Sequence, residues 1–361
     1  MLLFLPGPVC VADEVLAVAS RPLIDHRGPE FAALLARIVE GCKPIFETSG
    51  AVLVLGSSGT GGLEAALTSL FSPGDHLLAC PVGVFGERLV GIAQAFGCEV
   101  EVLPTAYGAA LDPAALAMRL RADTQRRITG VLLTHSETST GVQNDLAALA
   151  PCLREHGALT LVDSVSGLAA SPMRMDEWGY DAVVSASQKA LAAPPGVAMV
   201  ALGARAVGKL KQTRCSRYYF DLRVALEFAE KAQTPWTPPI SILCALDVAL
   251  ERYRQEGSLA AFARHARHAQ MISEALVAMG FELFSQPGAH SVTVVAARPP
   301  QGVEVAPLLE SLRQRYGVVL SGGQGPLSGK IVRMGTMGAI DERDVRDALA
   351  AIKAVLDTAT P

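Results

Sequence analysis

Charge is scarce in this sequence, and nowhere is it gathered into a patch of one sign. Only 18% of the 361 residues are Asp, Glu, Lys or Arg, and 31 basic against 35 acidic side chains leave a formal charge of −4. Neither Lys nor Arg forms the sustained run that tracks a nucleic-acid backbone or an anionic membrane. The composition therefore points away from nucleic acid and membrane, and towards a small-molecule partner. Paired cysteines are lacking too. Cys10, Cys42, Cys80, Cys98, Cys152, Cys215 and Cys244 are scattered without a CxxC pair, most of them in apolar surroundings such as LLAC and SILCAL. That excludes a disulfide framework and a zinc site, so no metal is expected, and it suits reduced, packed thiols in the cytoplasm. No apolar run reaches bilayer length without a charge or a breaker. The opening MLLFL stops at Pro6-Gly7-Pro8 and lacks the basic flank of a signal peptide, so it reads as part of the fold. The closing TATP carries no sorting signal. Repeats, low-complexity tracts and long linkers are missing as well.

Hydrophobic residues, by contrast, make up half of the chain, enough for a sizeable core and for two domains rather than one. Short runs rich in Val, Ile and Leu recur at 51–55, 75–80, 98–103, 128–135, 158–163, 181–187 and 197–202. Apolarity that is continuous rather than alternating marks strands covered on both faces. The expected fold is therefore α/β, with a mainly parallel seven-stranded sheet in the larger domain. Amphipathic stretches such as 112–123 and 145–157 read as helices, the second closing on Gly157 as a C-cap. Beyond about residue 255 the pattern changes to a long helix at 259–280, alternating strands at 291–297 and 330–335, and a closing helix at 342–358. The division expected is an N-terminal segment (1–15), a large domain (16–255) and a smaller C-terminal α+β domain (256–361).

Ligands of α/β sheets sit beyond the carboxyl ends of the strands. Four such ends stand out. Gly56-Ser57-Ser58-Gly59-Thr60-Gly61-Gly62 leads from 51–55 into a helix, where small residues let the backbone approach an anion and helix N–H groups can hold a phosphate. A flexible turn would read the same, and no lysine follows as it does in nucleoside-triphosphate loops. Asp163 closes the run 158–163. A carboxylate buried there needs a partner, for which a cationic ring nitrogen is apt, although a helix cap or a structural ion pair is the plainer reading. Lys189 follows 181–187 in a long stretch without another charge. Burial would lower its pKa towards a nucleophilic amine, although most lone lysines are surface residues. His135-Ser136-Glu137-Thr138-Ser139-Thr140-Gly141 is a polar turn whose hydroxyls can reach a ligand oxygen, or simply a capped turn.

The glycine-rich turn, HSETSTG, LVDSVSG and SASQKAL, in that order and with Lys189 26 residues after Asp163, resemble the fold-type I, class V aminotransferases. The resemblance is greatest to the alanine-glyoxylate/serine-pyruvate group, and runs from FLPGP and HRGPEF (26–31) to VRMGTMG near the end. It implies pyridoxal 5'-phosphate (PLP) as cofactor. The implied reaction is ping-pong transamination between a small amino acid (alanine or serine) and a small 2-oxo acid (glyoxylate or pyruvate). On that resemblance Lys189 is the Schiff-base lysine and proton carrier, and Asp163 keeps the pyridine nitrogen protonated. Val165 and Phe85 sandwich the ring, though core packing would explain either. Ser58, Gly59, Thr60 and Gln188 hold the phosphate, and Thr138 lies by the ring's 3-oxygen. Thr234 and Thr237 of a neighbouring subunit complete the phosphate site, which implies a homodimer with shared active sites. Arg333 is the substrate clamp, since a guanidinium grips a carboxylate through two parallel hydrogen bonds; a surface salt bridge is the plain alternative. Gly7, in the N-terminal segment, sits at the substrate.

Cysteine desulfuration, the rival chemistry in this class, expects a His directly before the lysine and a His on the ring, where this chain has Gln188 and Phe85. Relatives that act on 2-aminoethylphosphonate, ureidoglycine or pyridoxamine remain open, because one arginine recognises carboxylates generally. A nucleotide binder using only the glycine-rich loop, or an inactive PLP fold, would have no need of the Lys189–Asp163 pair.

Overall fold

The computed structural model describes residues 1–359; Thr360 and Pro361 of the TATP tail lie outside the described residues. In chain order the strands are β1 (Leu2–Leu3), β2 (Ala51–Gly56), β3 (His76–Ala79), β4 (Glu99–Val102), β5 (Ile128–Thr134), β6 (Ser136–Glu137), β7 (Val142–Gln143) and β8 (Leu159–Asp163). They continue with β9 (Ala182–Ala186), β10 (Val197–Leu202), β11 (Glu282–Leu283), β12 (Val294–Arg298), β13 (Val318–Val319), β14 (Ser321–Gly322) and β15 (Val332–Gly335).

All seven apolar runs become strands of one sheet, ordered β2-β10-β9-β8-β5-β3-β4. The chain runs the same way in all of them except β10, which is antiparallel to both of its neighbours. Continuous apolarity is explained by two cores, one on each face. Val183 and Met199 enter the core built with the helices Pro29–Phe46 and Ile240–Glu256. Their neighbours Val184 and Val200 enter the core built with the helices Gly59–Leu70 and Val84–Ala95. The run 98–103 departs from this rule. It forms the edge strand β4, where Glu99 and Val102 are exposed and the charges discourage further strand pairing.

The expected helices are present. Asp112 caps Pro113–Ala122, Asp145 caps Leu146–His156, and Gly157 closes the latter in the left-handed conformation. Beyond the helix Ser258–Ala278 lies a four-stranded antiparallel sheet, β11-β12-β15-β14. Its core joins Val332 and Met334 to Ile272, Leu312 and Ile352 of the flanking helices. Alternation was the expected pattern here, but β15 is buried throughout and β12 is buried in four of five positions, because both are central strands. β12 also starts later than its run. Ser291 and Thr293 turn their hydroxyls to the Ser136 hydroxyl, at 2.8 and 2.9 Å.

The opening MLLFL is part of this second core. β1 pairs in parallel with β13, Phe4 is fully buried, and the Phe4 carbonyl accepts the Gly335 N–H at 2.7 Å. Phe4 thereby pins the segment that carries Pro6 and Gly7 to the smaller C-terminal part of the chain. Phe4→Ala is expected to destabilise the protein by about 3–5 kcal/mol in urea unfolding; a loss under about 1 kcal/mol would show that this side chain does not anchor the segment.

Candidate active site

The parallel strands β2, β5, β8 and β9 end on one edge of the sheet, and each ends in a segment singled out above. After β9 the chain turns at once. The Ser187 N–H donates to the Val197 carbonyl at 3.0 Å, the Ser187 hydroxyl to the Pro194 carbonyl at 2.6 Å, and the Ala192 N–H to the Lys189 carbonyl at 2.8 Å. This closed turn delivers Lys189 to the interior, where it is 9% exposed and its Nζ donates to the Pro6 carbonyl at 2.6 Å. Gly7 lies against the amine at φ +138, a conformation side chains rarely adopt, and a Cβ there would stand 2.5 Å from Nζ and displace the amine. Burial pushes the Lys189 pKa down to about 8; Asp163 and Glu137 oppose the shift, while Arg333 and Arg88 reinforce it.

Asp163 ends β8, buried, its Oδ1 accepting the Val165 N–H at 2.9 Å. Desolvation raises its pKa to about 6 against the Val165 hydrogen bond and the charges of Lys189 and Arg88. The glycine-rich turn meets this strand end directly. A Cβ on Gly59 would stand 2.6 Å from the Val165 side chain and 3.3 Å from Ala186, so only glycine lets the helix start so close to β8 and β9. Ser58 caps that helix, its hydroxyl accepting the Gly61 N–H at 3.4 Å. The Thr60 hydroxyl accepts a hydrogen bond from Arg88 Nη1 at 3.2 Å, and Gln188 Oε1 is buried without a partner.

Phe85 stands half-buried in the first turn of Val84–Ala95, with the Arg88 guanidinium 4.7 Å from its ring centroid. The backbone N–H groups of Phe85 and Gly86 donate to Oε2 of Glu137 at 3.1 and 3.0 Å. Arg333 projects from β15 and is 4% exposed. Its Nε donates to the Gly322 carbonyl at 2.8 Å, and Nη1 donates to the Thr138 carbonyl at 2.9 Å and to Gln324 at 3.5 Å. Among the described residues it has no carboxylate in contact, which rules out the surface salt bridge. Burial lowers its pKa to about 10, and the charge of Glu137 opposes the shift.

Contacts thus join Lys189 to Gly7, Asp163 through Val165 to Gly59, Thr60 through Arg88 to Phe85, and Thr138 to Arg333. Thr234 and Thr237 stand apart from this chain of contacts. The Thr234 hydroxyl donates to the Trp236 carbonyl at 2.8 Å, Thr237 is exposed, and Arg27 holds the loop through the Thr234 and Pro235 carbonyls. None of these bonds reaches Ser58, Gly59 or Thr60. Three participants had not been singled out from the sequence. Arg88 lies one helical turn after Phe85, a spacing that puts both on one face. Glu137 lies inside the HSETSTG turn, and the Pro6 carbonyl is a backbone group with no signal of its own.

The fold that carries the buried Lys189 and Asp163 is shared with solved aminotransferases. The alanine–glyoxylate aminotransferase of Nostoc sp. superposes with a TM-score of 0.94 at 30% identity, over 98% of this chain and 95% of that one. The family model for aminotransferase class-V matches residues 18–340, and the chain belongs to that family of PLP-dependent transaminases. The L-aspartate–glyoxylate aminotransferase of Paracoccus denitrificans is 35% identical over 98% of this chain and 90% of its own length. The soluble hydrogenase 42 kDa subunit of Anabaena cylindrica is 37% identical over 99% and 93%. The residues present fit the family's cofactor: the crowded glycine start of the helix, where a Cβ on Gly59 would fill the space, suits a phosphate, and Asp163 suits a cationic ring nitrogen. Only the neutral form of Lys189 attacks an aldehyde. The rate at which cofactor-free protein captures PLP, followed by absorbance, is therefore expected to rise with pH and level off above about pH 8. A rise continuing to the ordinary lysine value of about 10.4 would contradict the buried amine.

Proposed function

We propose that this chain moves the amino group of alanine or serine to glyoxylate or pyruvate, and that Arg333 carries substrate recognition. The supporting observation is a guanidinium that is almost wholly buried, holds its place by backbone carbonyls and touches no carboxylate of its own chain. Such a group is poised for the carboxylate that alanine, serine, glyoxylate and pyruvate share. Gly7 and Pro6 close against Lys189, which supports a small side chain on the donor.

Bound at this site, PLP supplies the carbon that takes up the amino group and a ring that draws electron density from the substrate's Cα. Lys189 is the residue that would hold it and, once released as an amine with its pKa lowered to about 8, would carry the Cα proton to the cofactor carbon on the other side of the amino nitrogen. Arg333 fixes the substrate carboxylate, and with it the direction of the Cα–H bond. Asp163 is ionised at neutral pH and keeps a ring nitrogen cationic. Phe85 and Val165 cover the two ring faces and exclude water. Ser58, Gly59, Thr60 and Gln188 hold the phosphate, Thr138 lies by the 3-oxygen, and Thr234 and Thr237 of a second copy complete the site in a homodimer.

The thiols support a reducing compartment, the cytoplasm, since the seven cysteines are free and burial pushes Cys42 up to about 12. No described helix is long and apolar enough to cross a membrane.

One observation favours a second reading of the donor. Arg88 is exposed, stacks on Phe85 and forms no salt bridge among the described residues, yet its charge is felt at both Lys189 and Asp163. A donor with a second carboxylate, such as aspartate, would meet it. The deciding experiment offers alanine, serine, aspartate, ureidoglycine, 2-aminoethylphosphonate and pyridoxamine against glyoxylate and pyruvate. The first reading expects the highest kcat/KM with alanine or serine, and a preference for aspartate that vanishes in Arg88→Gln would replace it with the second. Arg333→Ala is expected to lower kcat/KM for every carboxylate donor by about two to three orders of magnitude, while pyridoxamine, which has no carboxylate, is spared. Equal losses for both kinds of donor would overturn the clamp.

A further inference from the structure

We propose that Glu137 is a positioning residue whose ionised, fully buried carboxylate sets the first turn of the helix Val84–Ala95, and with it Phe85, and serves as the counter-charge of Arg333. The proposal rests on the aminotransferase reading of the site. Its first support is the hydrogen-bond census of the carboxyl group. Oε2 accepts the Phe85 and Gly86 N–H groups at 3.1 and 3.0 Å; Oε1 accepts the Ser139 N–H at 3.0 Å and the Ser139 hydroxyl at 2.6 Å. The Ser139 Oγ in turn accepts the Val84 N–H at 2.9 Å, so the proton it gives to Glu137 is its own. Four donors converge and no acceptor does. Those four donors favour the charged form of Glu137, against the burial that works to neutralise it.

The second support is how this helix begins. Its N-cap is Gly83, which has no side chain to satisfy the first free N–H groups. Glu137 does so from a different segment, and an anion at that end also gains from the helix dipole. Gly83 is what makes room for it, since a Cβ there would stand 2.5 Å from both the Glu137 side chain and the Ser139 hydroxyl. Phe85 therefore takes its place from Glu137, not from its own helix cap.

The third support is Arg333. A buried guanidinium without a counter-charge is unfavourable, and one locked in a contact salt bridge would be unavailable to substrate. Glu137 resolves this at a distance. Arg333 binds the carbonyl of the next residue, Thr138, and feels the Glu137 charge without touching the carboxylate. The clamp keeps its charge and its free edge, and the offset keeps its grip weak enough for the carboxylate exchange that each half-reaction requires.

The test uses holoenzyme and two variants, with three readouts: the dissociation constant of PLP, that of propionate (an unreactive monocarboxylate followed through the bound cofactor's absorbance), and kcat. Glu137→Gln keeps the shape and removes the charge. Propionate is expected to bind about tenfold tighter, while PLP binds more weakly and kcat falls by about 10²-fold. Glu137→Asp keeps the charge and loses the reach. Here propionate affinity stays within about twofold of wild type, with PLP affinity and kcat still reduced. Propionate that weakens or stays unchanged in Glu137→Gln overturns the counter-charge role, and unchanged PLP affinity and kcat in both variants overturn the role in placing Phe85. If Glu137→Gln yields no folded holoenzyme, Glu137→Asp decides: propionate affinity lost in proportion to PLP affinity marks a merely structural residue and sinks the proposal. A wild-type protein that binds neither PLP nor propionate counts instead against the aminotransferase reading.

Discussion

Burial of the Lys189 amine is the constraint on which the rest of this structure depends. An ammonium taken out of water is unfavourable unless charge and hydrogen bonds are arranged around it, and the structure arranges them from several separate segments. The Pro6 carbonyl takes one N–H, Asp163 and Glu137 supply negative charge, and Arg333 and Arg88 work against them. The balance leaves an amine whose pKa is lowered to about 8, which suits a nucleophile and proton carrier. The N-terminal segment is essential to this balance. Phe4 in the second core holds in place the backbone that carries Pro6 and Gly7, so burial far from the site fixes a hydrogen bond within it.

The sheet order turns these local requirements into one site. β8 and β9 are parallel neighbours, so Asp163 and Lys189 leave the same edge, and β2 on the far side of β10 sends its helix back across both ends. Gly59 is the point of closest approach, with room for hydrogen alone against Val165 and Ala186. The second sheet contributes one side chain, Arg333, across the gap to Thr138. On the proposed reading, substrate recognition would depend on how the second sheet packs on the first, and cofactor binding mostly on the first.

Much of this was legible in the residues, and the gaps have physical causes. Continuous apolar runs locate the seven strands because burial on both faces leaves no other pattern. The same logic fails at β4, where an edge needs charge, and at β12 and β15, where central strands of a small sheet lose the alternation expected of a half-exposed one. Lys189, Asp163 and Arg333 stood out as charges in apolar surroundings and gained roles from the order of the motifs. Arg88 and Glu137 did not, because a charge in a polar turn or on an amphipathic helix looks the same whether it faces solvent or a buried ring. The Pro6 carbonyl carries no side-chain signal at all. Thr234 and Thr237 form no hydrogen bond to Ser58, Gly59 or Thr60 within the chain, and the part proposed for them needs a second copy.

The central claim is that Lys189 is the amine that holds the cofactor. Borohydride reduction of the PLP-loaded protein, followed by peptide mapping, tests it most directly. The account predicts a single cofactor-bearing peptide, the one containing SASQKAL, and none in Lys189→Ala. Cofactor fixed on another lysine, or a loaded protein that borohydride leaves unlabelled, would contradict it.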